Sequence, residues 1–202
     1  MEKFDVLIGI VVPKGKENCI EEFKNATKEI LDKPFMIEEQ NISVAKQRKI
    51  MIEEAKKRNC KGILFLECDV IPPKNLFELV MTKADIVGGA YLQWVNMGVP
   101  KVAPCAFALA DEGIAFLPID VVMPKTILPV AAVGFGCAYV NSKVFNKIEY
   151  PENDNDDLEF CQKAREKGFS IAVNAGVKCI SNTGSGKLEF PMSRAGLSFS
   201  ET

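Results

Sequence analysis

Residues 6–12 and 62–66 are apolar at every position, where a strand with one wet face would be apolar at every second position. Unbroken runs this short read as strands buried on both faces, as in a parallel sheet covered by helices. The segments between them carry the complementary pattern. Ile20, Phe23, Thr27, Ile30 and Leu31 recur at helical spacing up to Pro34, and residues 35–37 make a short strand. Ser43 is placed to cap a helix running to about Arg58, with Val44, Met51, Ile52 and Ala55 on its inner face. Pro72-Pro73 is expected to open a further helix, with Pro73 in its first turn. Residues 85–87 predict a fourth strand, closed by Gly88-Gly89. Alternation of this kind argues for an α/β fold with a mostly parallel central sheet and helices on both faces.

The second half predicts a small antiparallel portion. Residues 103–110 and 114–119 flank Asp111-Glu112-Gly113 as a hairpin. Residues 130–133 and 137–140 surround a Gly134-Phe135-Gly136 break, and a helix over 156–167 ends at Gly168. Residues 170–173 and 177–180 predict two short strands, and 183–202, rich in Ser, Gly and Thr, a mobile tail. No linker divides the 202 residues, so a single domain is expected.

Composition removes several classes of function. A formal charge of −2 with dispersed Lys and Arg gives no basic face for nucleic acid. No apolar run approaches the ~20 residues of a membrane span, and the first residues lack a signal-peptide layout, so a cytoplasmic protein is expected. The seven cysteines form no C-x-x-C pair and read as buried, reduced, small hydrophobes. Histidine is absent, which excludes Ser-His-Asp and Cys-His chemistry and any His-ligated metal.

Three clusters remain that can carry chemistry. The apolar strand over 62–66 runs into Glu67-Cys68-Asp69, which sets two carboxylates at i and i+2 on one side of a strand end. Ligands of open α/β sheets bind beyond such ends, and paired carboxylates there suit a hard divalent cation that also holds phosphate. The same residues also serve simply to end the strand. Asp156 and Asp157 open the helix over 156–167, where acids complement the positive helix end and where one of them can act as a general base. Arg48 follows Val44 by four residues and precedes Met51 by three, which turns it inward and demands an anionic partner: a diphosphate, a metal-site carboxylate or a buried ion pair. Gly134 and Gly136 fit either a close backbone approach to a ligand or a bend between strands.

In this order the pieces resemble the GT-A glycosyltransferases, in particular family 2-like inverting enzymes and their small bacterial, archaeal and viral versions. The resemblance rests on Ala45 to Arg48 (A-x-x-R), Glu67 to Pro73 (D-x-D-V-x-P-P), Asp85 to Tyr91 (D-I-V-G-G-x-Y), the Gly134–Gly136 strand, and Asp156 to Cys161 (E-D-x-D-F-C). It implies a nucleotide-diphosphate sugar donor, a divalent cation (Mn²⁺ or Mg²⁺) and an acceptor it does not name. It implies that Asp69 holds the metal, that Glu67 lies near the ribose or the metal, and that Arg48 and the loop over 13–16, with Pro13 and Lys14, lie on the nucleotide side. It implies Asp157 as the base, with Asp156 the neighbouring candidate. Residues 1–92 would form the nucleotide-sugar half and 93–182 the acceptor half. Where relatives carry a metal-contacting His in H-x-G, this chain has Asn182-Thr183-Gly184, so the resemblance implies Asn182 as an oxygen ligand of the metal, weaker for transition metals, and Glu67 replaces the first Asp of D-x-D. Two alternatives stand beside this reading: a nucleotidyltransferase, and a catalytically inactive nucleotide-sugar-binding scaffold.

Overall fold

The computed structural model describes residues 5–37, 42–96, 98, 100–153, 155–183 and 186–191. The first stretch alternates as β1 (Val6–Val11), α1 (Cys19–Thr27), β2 (Phe35–Met36), α2 (Val44–Lys57), β3 (Gly62–Glu67), β4 (Val70–Ile71), α3 (Glu78–Met81) and β5 (Ile86–Ala90). The remainder is richer in short strands: β6 (Leu92–Asn96), β7 (Pro100–Pro104), β8 (Ala106–Leu109), β9 (Ile114–Phe116), α4 (Ile119–Val122), β10 (Ile127–Pro129), β11 (Ala132–Val133) and β12 (Cys137–Asn141). Then come α5 (Ser142–Phe145), α6 (Asp156–Glu166), β13 (Ile171–Lys178), β14 (Ile180–Thr183) and β15 (Gly186–Leu188).

A seven-stranded sheet in the order β10-β13-β5-β12-β3-β1-β2 organises the molecule. Strands β1, β2, β3, β5 and β13 point one way, while β12 and β10 run against them. The mixed α/β architecture read from the alternation is therefore present. Ile63, Leu64, Phe65 and Leu66 are fully buried, as an unbroken apolar run requires. Strand β12, from the second half of the chain, lies between β3 and β5. Residues 1–92 and 93–182 therefore share one sheet.

Local chemistry sets the elements that deliver the site. Ser43 caps α2 through its side chain, which accepts from the Lys46 N–H at 3.2 Å. Gln47, buried in the first turn of α2, accepts from Val12 N–H at 2.9 Å and donates to Val12 C=O at 2.8 Å. That pair of bonds fixes the start of α2 against the end of β1.

Four expectations are revised. Pro72-Pro73 leads into turns, and the α3 helix begins only at Glu78. Gly88 and Gly89 lie inside β5 and do not close it. A Cβ at Gly88 would stand 2.7 Å from the Val133 side chain, so packing selects the glycine. The two strands expected over 170–180 are one strand, β13, with a register shift between Asn174 and Lys178. In the segment read as a mobile tail, Gly186–Leu188 pairs with β14; residues 184–185 and 192–202 lie outside the described residues. All seven cysteines are free thiols, and all but Cys60 are buried. No helix among the described residues is long and apolar enough to cross a membrane.

Candidate active site

Arg48 is the hub of the site. It is 2% exposed and reaches from α2 to both acidic clusters. One terminal nitrogen donates to both oxygens of Asp156 at 2.9 Å, and the other donates to Glu67 at 2.5 Å. Its guanidinium lies over the Phe135 ring, 5.6 Å from the centroid. Phe135 in turn stacks on Phe65 and meets Phe160 edge-on, so an aromatic layer supports the charged groups. Burial opposes the Arg48 charge, and the facing Tyr150, Glu67 and Asp156 groups more than offset that cost, holding its pKa well above the usual value. The inward partner that helix phase demanded is thus a pair of carboxylates.

The two acids at the start of α6 separate in role. Asp156 is 4% exposed and engaged by Arg48, and it also accepts from the Tyr150 hydroxyl at 2.8 Å. Both Asp156 oxygens are therefore occupied by donors of the protein itself, which makes it a structural partner of Arg48. Among the described residues Asp157 accepts from backbone N–H groups, of Phe135 at 3.2 Å and of Leu158 at 2.8 Å. Burial raises its pKa, with Arg48 pulling down and Asp156 pushing up.

Glu67 and Asp69 also part company. Glu67 exposes about a fifth of its side chain and is turned to Arg48. Burial pushes its pKa up to about 7, against the pull of Arg48 and with the push of Asp69, Asp157 and Asp156. Asp69 pairs with Lys16 at 3.2 Å through one oxygen, while its other oxygen is buried with no hydrogen-bond partner. The Lys16 ammonium also approaches the backbone carbonyl of Asn182 at 3.5 Å. Asn182 stands beside Asp69 through its N–H, which donates to Asp69 C=O at 2.6 Å. Its side-chain amide donates to Glu22 at 2.6 Å. No group of three or more Cys, Asp or Glu side chains suited to a metal occurs among the described residues.

The space that a side chain would take at Gly134 and Gly136 is filled by protein. A Cβ on Gly134 would come within 2.1 Å of Cys105 Sγ, and one on Gly136 within 2.8 Å of Tyr91 Oη. Gly136 N–H donates to that same hydroxyl at 3.2 Å. The glycines let β11 and β12 close over Tyr91 and Cys105.

Two cavities meet at Asp157. The first, about 560 Å³, is lined by Lys14, residues 42–45, Arg48, Glu67, Glu152, Asn153, Asp156 and Asp157. Two basic and four acidic side chains give it a surplus of negative charge. The second, about 600 Å³, is lined by Cys105, Phe107, Ile114, Phe116 and Leu158 among others, with Lys101 and Asp157 as its charged groups. Asp157 is the residue common to both. Pro13 opens a tight turn, its carbonyl accepting from Lys16 N–H at 3.0 Å, and it is Lys14 of that turn that lines the first cavity. Sequence reasoning missed Tyr150, the Lys16–Asp69 pair and the second cavity.

No protein-family model matches the chain, and no curated protein matches it. Solved structures do resemble it. A197 from STIV superposes with a TM-score of 0.59 at 16% identity, over 93% of this chain and 94% of that one. GalNAc-T7, solved with UDP, GalNAc and Mn²⁺, superposes with a TM-score of 0.58 at 10% identity, over 88% of this chain and 44% of that one. At these identities the likeness establishes the fold, which is that of the GT-A-like nucleotide-diphospho-sugar transferases.

Proposed function

We propose that the chain transfers a sugar from a nucleotide-diphosphate donor to a hydroxyl acceptor, with inversion and with Asp157 as the general base. The observation that carries this reading is the position of Asp157, a partly buried carboxylate shared by two cavities of different chemistry. Transfer between two ligands needs a proton acceptor where they meet, and in a chain without histidine a carboxylate is the available group. Burial that raises its pKa makes Asp157 a better base than a solvated carboxylate.

On this reading the charged cavity takes the nucleoside. Glu67 accepts from a ribose hydroxyl, with Arg48 holding its orientation. The surplus of acid there repels a diphosphate, so a divalent cation, Mn²⁺ or Mg²⁺, is proposed beside it. The buried Asp69 oxygen without a partner fits such an ion, because these metals take one or two protein carboxylates and complete their shell with phosphate oxygens and water. When bound, the cation would neutralise charge on the departing nucleoside diphosphate. Lys16, which stands beside Asp69, would add a second positive charge for a phosphate oxygen. GalNAc-T7, which shares the fold, was solved with Mn²⁺ and a uridine nucleotide, in keeping with this assignment.

The test is a screen of nucleotide sugars by calorimetry, with Mn²⁺, with Mg²⁺ and with EDTA, followed by assay of nucleoside diphosphate release. Binding that needs the metal, and release that needs an acceptor, are expected. Binding without any release would favour a scaffold, and binding of no nucleotide would end the proposal.

A further inference from the structure

We infer that the acceptor is an uncharged amphiphile, a hydroxyl group carried on an alkyl or aryl body, which lies along the β8–β9 hairpin. The inference rests on Asp157 being the base. The second cavity differs from the first in both polarity and charge. Lys101 balances Asp157, so the cavity has no net charge, and Lys101 makes no ion pair with another described residue. A neutral occupant suits such a lining, because a charged one would leave a buried charge without a partner.

Gln93 and Asn155 also line the cavity, but the wall that the β8–β9 hairpin supplies is apolar in an ordered way. Phe107 and Phe116 are cross-strand partners, with ring centroids 4.6 Å apart. Leu109 and Ile114 are the next pair but one along the same ladder, so the two-residue period of a strand puts all four on one face of the hairpin. Phe107, Ile114 and Phe116 line the cavity, and Leu109 continues the strip outward, 68% exposed. An apolar track therefore runs from Asp157 towards solvent. A polar glycan laid along it would lose water from hydroxyls that these side chains cannot hydrogen-bond. An alkyl or aryl body gains by covering the same surface, while its hydroxyl reaches the carboxylate.

The test compares n-octyl β-glucoside, below its micelle concentration, with methyl β-glucoside as ligands of the protein alone. The head group is the same, so the difference isolates the apolar body. The octyl compound is expected to bind at least about tenfold more tightly, which two fully buried methylene groups suffice to give. Phe116→Ala should abolish most of that preference, as should Leu109→Ser, a change at an exposed position that leaves the fold intact. Equal affinities would overturn the inference, as would a preference that survives both substitutions. Neither nucleotide nor turnover enters this experiment. Absence of nucleotide-sugar binding would therefore sink the transferase reading alone, and equal glucoside affinities would sink the acceptor class alone.

Discussion

Replacing Arg48 with Met leaves the volume of α2 nearly unchanged and removes the cation that two acids share. Asp156 loses two hydrogen bonds at 2.9 Å and keeps the one from Tyr150; Glu67 loses its bond at 2.5 Å. Asp156 is 4% exposed, so solvent cannot replace the lost partner there, whereas Glu67 is open enough to recover some hydration. Breaking a buried pair by removing one member costs about 3–5 kcal/mol, and the one remaining Tyr150 bond argues for the lower half of that range. In a domain of this size such a loss lowers Tm by roughly 6–16 °C. The loss also depends on pH. Glu67 already titrates at about 7, above its ordinary 4.5, so its contribution to stability is full below about 4.5 and is lost as pH rises through the folded value. Without the pull of Arg48, Glu67 and Asp157 are pushed higher still. Urea melts should therefore show Arg48→Met to be more damaging at pH 8 than at pH 5. Adding Asp156→Asn to Arg48→Met should recover part of the loss by removing the unpaired charge. A cost under about 1 kcal/mol at pH 8, or an equal cost at both pH values, would refute the argument, because surface ion pairs behave that way and buried ones do not.

Two further predictions concern other groups. Asp69→Asn should remove the metal-dependent part of nucleoside diphosphate binding in calorimetry while leaving the circular dichroism spectrum unchanged; undiminished metal dependence would show that another group holds the cation. Gly134→Ala should destabilise by about 1–3 kcal/mol or more in thermal denaturation, since the new methyl would stand 2.1 Å from Cys105 Sγ and 2.3 Å from Tyr91 Oη. An unaltered Tm would mean that the packing around Tyr91 is looser than the structure has it.

Local pattern was enough to find the frame of the site. Full burial dictates an unbroken apolar run, so β3 and its acidic end were legible, and the phase set by Val44 and Met51 was enough to turn Arg48 inward. What Arg48 would meet was not legible. Its contact with Asp156 spans 108 residues, and the choice between Asp156 and Asp157 depends on how α6 docks rather than on either residue's neighbours. The same holds for Lys16 and Asp69, 53 positions apart in numbering and joined by the fold of the loop after β1. Gly134 and Gly136 illustrate a different limit. Their pattern announces a close approach, but only the packed structure shows that Tyr91 and Cys105 crowd the place of a side chain there. The cavity beyond Asp157 was invisible because the β8–β9 hairpin was predicted without knowledge of which face it would turn inward.

Asp157 is proposed as the group that takes the acceptor proton, and one comparison tests that role directly. Single-turnover rates and donor affinities are to be measured for Asp157→Asn and for Asp156→Asn, each with a donor that the wild-type protein uses. The Asp157 substitution should slow transfer by ~10²–10⁴-fold, the usual cost of losing a positioned general base, while leaving donor affinity within about twofold. The Asp156 substitution should act mainly through stability and Arg48, with a smaller effect on rate once the protein is fully folded. Transfer by Asp157→Asn at near the wild-type rate, or a loss confined to donor affinity, would contradict the assignment.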